Sequence, residues 1–483
     1  MKRIAAAAGL LVALLALLAA PRPHRLSDDR AGDAPLAGRV ADVIGGNTTG
    51  YRGLSVAFVD RGRVSSAVLG DAAGGPLFEI GSVQKTMTGM LLADLAAAGE
   101  VDPQDTLGET LGITGEAASI TLEELASQRS GLPRLAPGVV NLVWNQLRDL
   151  GGRDPYGGAD AGAVAEQARS AEPGGGRGEI GYSNFGMALL GQALAARTGT
   201  PYPQLVTERI LRPLGMASTH PLPPAPPPAG LAGGSTAAGA ATLRWVSSGY
   251  APAGIGAVST AEDLAKLVSA TAAGTAPGAV AATPRFRSGD EQIGYAWFTD
   301  RYGDREITWH NGGTNGFRSF VGFDRATGQG VVVLGNTDRD VEWIGIRLLG
   351  GEAPRSAETA FPGWYRLGAT ALLLLWAAMA LPLLGFRRAG AGGVWFPAPD
   401  RLRAVGAVLS TAALLLFVHR IGVWLTLPWQ LWAVAAGCAA AGLAALVRRW
   451  RSLPTIASGG RRARWVQFGL SAAISVGLFG LLL

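Results

Sequence analysis

The last quarter of this 483-residue chain contains four apolar stretches, roughly Leu367 to Phe386, Ala404 to Val418, Leu431 to Val447 and Trp465 to Leu483. Each is near the ~17 to 25 residues that a membrane-crossing helix requires, the second being the shortest. Arg387, Arg388, Arg401 and Arg403 lie between the first and second, and Arg448, Arg449, Arg451, Arg461, Arg462 and Arg464 between the third and fourth. Basic loops face the cytoplasm, so the segment before Leu367 and the C-terminus are expected outside. Lys2 and Arg3 precede a further apolar run, Ile4 to Ala20, the pattern of a secretory leader. Leu18 stands three before a cut after Ala20, and Pro21 follows it, so the run reads as a cleaved leader or a retained anchor. The expected organisation is a signal peptide or anchor over 1–25, an exported domain over 26–355 and a four-helix transmembrane region over 356–483.

Charge follows the same division. The formal net charge is +6, yet residues 26–355 hold 26 basic and 34 acidic side chains, a net of about −8. The basic excess therefore reflects membrane topology and gives no support for nucleic-acid binding. Cys438, the single cysteine, falls in the third apolar stretch, which excludes an intramolecular disulfide.

Within the exported region, Leu54 to Val59 and Val64 to Leu69 are strand-like runs joined by Asp60-Arg61-Gly62-Arg63, a hairpin signal. Helical spacing covers Thr86 to Ala98, Met187 to Thr198 and Ala261 to Ala270, the last with Ser259 or Thr260 as its cap. Glu306 to Trp309, Phe317 to Phe323 and Gly330 to Leu334 read as three strands of a meander. Strands at both ends with helices between imply an α+β fold, one antiparallel sheet with flanking helices and an inserted helical part. Gly174 to Gly178 and Pro221 to Gly230 read as surface loops.

Ser82-Val83-Gln84-Lys85 sits where a strand-turn gives way to the first of these helices. Residues three apart on a helix share a face, so the Lys85 amine can reach the Ser82 hydroxyl and take its proton. Lysine is nearly absent from the chain, occurring only as Lys2, Lys85 and Lys266. Where arginine supplies almost all the basic charge, a lysine beside a serine points to a base that must lose its proton, which a guanidinium does not do. The first helical turn also offers unpaired backbone N–H groups to an oxyanion at Ser82.

Two further segments could complete an acyl-transfer centre. In Tyr182-Ser183-Asn184 the phenol could relay protons to Ser82 or the leaving group, and the amide could hold an acyl-side carbonyl or orient Lys85. In His310-Asn311-Gly312-Gly313, at a strand end, the glycines let a substrate approach and the Gly313 N–H could be the second oxyanion donor. Alone, a solvated Tyr182 and a structural His310 are the ordinary readings. His24, His220 and His419 are too scattered to form a metal site with His310, so no metal and no cofactor is expected.

Taken in order, Ser-x-x-Lys, Tyr-Ser-Asn and His-x-Gly resemble the serine β-lactamase and penicillin-binding superfamily, particularly class C β-lactamases, D,D-peptidases and related esterases. The resemblance runs over most of residues 38 to 350. It includes Ile120 to Leu125 leading to Ser130-Gly131-Leu132-Pro133, Ile210 to Met216, and Gly254 to Leu264. It implies Ser82 as the acylated nucleophile, Lys85 as general base, Tyr182 as proton relay and Asn184 as a substrate-orienting amide. His310, Gly312 and Gly313 would line the substrate site. Many relatives carry lysine where this chain has His310, and a neutral imidazole attracts a substrate carboxylate less strongly. Arg318 could supply that charge or lie solvated. Gln128-Arg129 replaces the usual His-Thr, a departure expected to bear on the fold more than on the chemistry.

The expectation is a membrane-tethered serine acyl hydrolase outside the cytoplasm, acting through an acyl-enzyme on Ser82 in the manner of a β-lactamase or D,D-carboxypeptidase. Its partners would be the bilayer and a small-molecule or D-amino-acid peptide substrate, with no nucleic acid. An esterase or D-aminopeptidase without penicillin affinity, and a membrane-bound sensor of cell-wall fragments, are the alternatives.

Overall fold

The computed structural model describes residues 2–71, 75–136, 154–222, 227–354, 363–386, 399–456 and 461–482. Arg387, Arg388 and residues 223–226 of the proline-rich run fall outside them. Two compact units are present, residues 24–237 with 241–357, and residues 1–23 with 238–240 and 358–483.

The first unit is built on a nine-stranded sheet in the order β1-β3-β2-β11-β10-β9-β8-β7-β6. Its N-terminal hairpin is β2 (Gly53–Asp60) with β3 (Arg63–Gly70), in register from Gly53↔Gly70 to Asp60↔Arg63. The two-residue turn Arg61-Gly62 has φ of 47° and 83°, the left-handed pair that matches the twist of the flanking strands. The C-terminal meander is β9 (Arg305–Thr314), β10 (Phe317–Asp324) and β11 (Gln329–Gly335). Pairing of β11 with β2 joins the two ends of the chain into one sheet, as the order of strand signals implies. β1 (Arg30–Gly32), β6 (Phe286–Ser288), β7 (Glu291–Ile293) and β8 (Phe298–Tyr302) extend it at the edges.

Both faces of this sheet are covered, which explains why its central strands are apolar at consecutive positions. Leu54, Val56 and Phe58 of β2, with Val331 and Val333 of β11, pack under α2 (Ala34–Ile44) and α6 (Glu342–Leu348). Ala57, Val59, Val332 and Leu334 point the other way, into the core formed with α3 (Gln84–Ala97), α4 (Asn184–Thr198) and α5 (Ala261–Ala272). Thr260 caps α5 by accepting from Asp263 N. α3 is buried on nearly every side, from Gln84 through Ala93 and again at Leu95. A two-stranded ladder of β4 (Phe78–Glu79) and β5 (Val258–Ser259) flanks its entry. Gly174 to Gly178 lies in turns.

The second unit contains α1 (Lys2–Ala19), α7 (Gly363–Phe386), α8 (Arg401–Ile421), α9 (Gln430–Arg449) and α10 (Arg461–Leu482). α8 is 21 residues long, longer than its apolar run implied. Asp400 caps it by accepting from Arg403 N at 2.8 Å, which brings Arg401 and Arg403 inside the helix. Small residues set the packing on α9: a Cβ on Gly9 would lie 2.8 Å from Gly437 O, and one on Gly385 2.5 Å from Gly442 O. The N-terminal helix therefore belongs to the same bundle as the four C-terminal ones. Four helices among the described residues are long and apolar enough to cross a bilayer: Lys2–Ala19, Trp364–Phe386, Arg401–Ile421 and Gln430–Ser452.

Candidate active site

Ser82 lies in the short turn Gly81–Val83 that opens α3. Gly81, at φ 49°, and Gly254, at φ 98°, meet there so closely that a Cβ on Gly254 would overlap Gly81 O. Lys85, the second residue of α3, is fully buried. Its Nζ donates to Ser82 Oγ and to Ala253 O, each at 2.7 Å. No carboxylate pairs with it among the described residues. Burial, assisted by the charge of Arg134, holds its pKa well below the ordinary lysine value. An amine so placed is ready to be neutral, and a neutral amine can accept the Ser82 proton along the same 2.7 Å line.

Tyr182 completes the contact from the opposite wall, its OH donating to Ser82 Oγ at 2.7 Å. Burial raises this phenol to about 12, the hydrogen bond to Ser82 acting against that rise. Tyr182 is held by its neighbours. Ser183 caps α4 by accepting from Gly186 N at 2.8 Å and donates to Pro133 O at 2.7 Å. Gln128, buried at φ 57°, accepts from Gly181 N through its carbonyl at 2.7 Å and from Ser183 N through Oε1 at 2.6 Å. Sequence reasoning assigned the Gln128 segment to the fold; its geometry places it directly behind the phenol. Gln128→Gly, which suits the backbone and deletes the side chain with its amide, is expected to lower kcat about 10- to 100-fold with little change in KM, checked by steady-state hydrolysis of an activated ester.

Asn184, the first residue of α4, turns its Nδ2 to Tyr156 OH at 2.8 Å. Its Oδ1 is buried with no partner, and no contact to Lys85 accompanies it among the described residues. Tyr156, a contact that nothing in the sequence signalled, is also buried.

β9 forms the remaining wall. His310 is buried, its Nδ1 donating to Asn311 O at 2.5 Å and its Nε2 unpartnered. Burial first, and the nearby Lys85 second, press its pKa down to about 3, so the imidazole is neutral at any ordinary pH. Gly312 is required by the backbone packing: a Cβ there would overlap Ile80 O and Ser319 Oγ. Ser319 Oγ donates to Ile80 O at 2.6 Å, so β9 and β10 together grip the residue before the Ser82 turn. Gly313 N would lie 2.8 Å from a Cβ on Gly81, which puts this amide at the nucleophile turn beside that of Ser82. Arg318 Nη1 donates to Thr314 O and Phe317 O, both at 2.9 Å, and lies against Gly313. Its Nη1 is thus held by the β9–β10 turn.

A serine hydroxyl between a buried amine and a phenol, beside two backbone amides, is an arrangement suited to a serine hydrolase. Residues 36–348 match the Beta-lactamase family, and the chain belongs to it. It is 34% identical over 149 residues to the D-alanyl-D-alanine-carboxypeptidase/endopeptidase AmpH of Escherichia coli (strain K12), which is 29% of this chain and 35% of that protein. It is 28% identical over 149 residues to Protein flp of Staphylococcus aureus (strain MW2), 29% of this chain and 27% of that one. The chain thus spans about a third of the length of the curated relatives it matches. Among solved structures, a class C beta lactamase from Rhodobacter sphaeroides superposes with a TM-score of 0.53 at 22% identity, covering 63% of this chain and 95% of that one. D-alanine carboxypeptidase AmpC from Burkholderia cenocepacia superposes at 0.52 with 23% identity, covering 65% and 99%. These share the α+β fold, and the family is one of β-lactamase and D-alanyl-D-alanine carboxypeptidase-type serine hydrolases.

Proposed function

We propose that this chain is a membrane-tethered acyl hydrolase of the D,D-carboxypeptidase and β-lactamase type, with its site outside the cytoplasm. The observation that carries the chemistry is Ser82 Oγ at 2.7 Å from both Lys85 Nζ and Tyr182 OH. Neutral Lys85 takes the Ser82 proton as Oγ attacks the carbonyl, and the amides of Ser82 and Gly313 hold the oxyanion. Tyr182 passes a proton to the departing atom, and water then attacks the acyl-enzyme with the same groups in reverse. Asn184, whose Oδ1 has no partner, is the amide that orients the substrate.

Fluorescent penicillin labelling of solubilised protein, wild type beside Ser82→Ala, tests this reading together with release of D-alanine from a D-alanyl-D-alanine peptide. A Ser82-dependent band with D-alanine release supports it. Ester hydrolysis without either favours an esterase or D-aminopeptidase, a reading that the neutral His310 supports because β9 offers no cation to a substrate carboxylate. A persistent band with no turnover of any substrate points to a sensor.

Tethering rests on the second unit. Large apolar side chains, among them Leu14, Leu372, Trp376, Val447, Leu470 and Ile474, are exposed on its helices, a surface suited to acyl chains. Its arginine-bearing ends gather on one side: Arg464 Nη2 donates to Asp400 Oδ2 at 2.9 Å, Arg401 N to Pro454 O at 3.0 Å, and Arg449 Nη1 to Gly385 O at 2.9 Å. At the other side His419 Nε2 donates to Ala19 O at 2.8 Å, so α1 emerges where α8 ends. This pattern accords with an arginine-rich cytoplasmic face and with α1 remaining in the bundle as one of its crossings. Intact mass of the membrane-extracted protein is expected to include residues 2–20; a chain beginning after Ala20 would show α1 to be a removed leader.

A further inference from the structure

We propose that Arg134 is the residue that selects substrates bearing a carboxylate on the leaving group, taking over an anchoring role that β9 does not fill in this chain. The inference rests on the acyl-transfer reading of Ser82 above and names a substrate class for it.

The argument begins with the cations around Ser82. Lys85 is buried and committed to Ser82 and Ala253. His310 is neutral, and Arg318 is tied to two carbonyls of the β9–β10 turn. Arg134 differs from all three. Its side chain is exposed, and among the described residues it forms no ion pair with a carboxylate. Its guanidinium carbon lies 5.1 Å from the centre of the Tyr182 ring, while Lys85 Nζ lies 5.0 Å from that same ring. A guanidinium over a phenol face keeps its outward N–H groups available, and a planar fork suits a carboxylate.

The backbone fixes that position. Arg134 O accepts from Asn184 N at 3.1 Å and from Phe185 N at 3.3 Å, the unpaired amides of the first turn of α4. Arg134 therefore moves with the helix that carries Tyr182 and Asn184. Tyr182 OH is the group that delivers a proton to the departing atom, so a cation stacked on its ring lies on the leaving-group side. The charge of Arg134 also reaches Lys85, adding to the effect of burial in lowering its pKa. That second effect is indifferent to the substrate, which makes the two roles separable.

The test compares two phenyl esters of one acyl group, one with a neutral leaving phenol and one whose phenol carries a meta carboxylate, using full-length protein in detergent. Arg134→Gln is expected to lower kcat/KM for the carboxylated ester at least about 10-fold more than for the neutral ester, the extra loss falling mainly on KM. Arg134→Lys should recover part of the loss, since it keeps a point charge without the fork. Equal losses on both esters would overturn the proposal and leave Arg134 as electrostatic support for Lys85; unchanged kinetics on both would also overturn it. If neither ester is turned over in a Ser82-dependent way, the reading of the site fails and this inference falls with it. Ser82-dependent hydrolysis with no Arg134-dependent carboxylate preference removes the inference alone.

Discussion

Lys85→Met is expected to lower kcat/KM by about 10⁴-fold or more and, in the same protein, to raise the thermal midpoint at neutral pH. Both effects come from one fact. Lys85 is a fully buried amine with a depressed pKa, and its partners are a hydroxyl and a carbonyl rather than a carboxylate. In the unfolded chain this lysine is protonated below about pH 10.4, whereas burial in the folded chain makes it give up its proton at a lower pH. The unfolded state thus binds more protons, and Lys85 destabilises the fold at neutral pH by an amount that vanishes as pH rises toward 10.4. Methionine fills a similar volume without that penalty, against the smaller loss of a hydrogen bond to Ala253 O. The gain should amount to about 2–4 °C for each kcal/mol recovered, and it should shrink as pH is raised. Thermal unfolding of the two proteins at pH 7 and pH 10 checks the sign. A lower midpoint for the variant at pH 7, or retained turnover, would contradict the account. The pH dependence of wild-type kcat/KM should rise through the lowered Lys85 ionisation, show no limb near 6.5 from His310 and none from Tyr182 below about pH 11, since those groups stand at about 3 and about 12.

Gly312→Ala is expected to cost about 100-fold or more in acylation rate while the domain still folds. Gly312 has an ordinary strand conformation, so its backbone tolerates alanine; the obstacle is Ile80 O and Ser319 Oγ, which occupy the space a methyl group would need. Relief requires β9 to move away from the Ser82 turn by a fraction of an ångström or more. That movement would carry Gly313 N from the nucleophile and loosen the Ser319 to Ile80 contact. Stopped-flow acylation by an activated ester, with circular dichroism to verify folding, measures the effect. A near-normal acylation rate would show that Gly313 does not hold the oxyanion. Gly254→Ala should be harsher, because a positive φ adds strain to the overlap with Gly81 O.

Much of this arrangement is legible in the residue order because it is local. Ser82 and Lys85 share a helical face through their three-residue spacing, and Thr260 announces its helix by capping it. The hairpin over Gly53–Gly70 follows from apolar runs around Arg61-Gly62, and the charged borders of the last four helices follow from hydrophobic length. Gly312 shows where such reasoning stops. In the sequence it is one of two glycines at a strand end, suited to a substrate; in the fold its lack of a side chain lets two backbones touch. Gln128 is similar, for its hold on Tyr182 spans residues 128 to 183 and leaves no periodicity.

The sequence by itself determined the class of sheet, the apolar helical quarter, the pairing of Ser82 with Lys85, and an acidic region before that quarter, since each depends on composition or on neighbours within a few positions. Only the tertiary structure decided that Tyr182 meets Ser82 across a hundred residues, that Asn184 turns to Tyr156, that Arg318 bonds the carbonyls of its own turn and that Arg134 stands over the phenol. Those relations are set by close packing of α3, α4 and β9 around one buried amine, and packing between distant segments imposes no spacing on the chain that forms it.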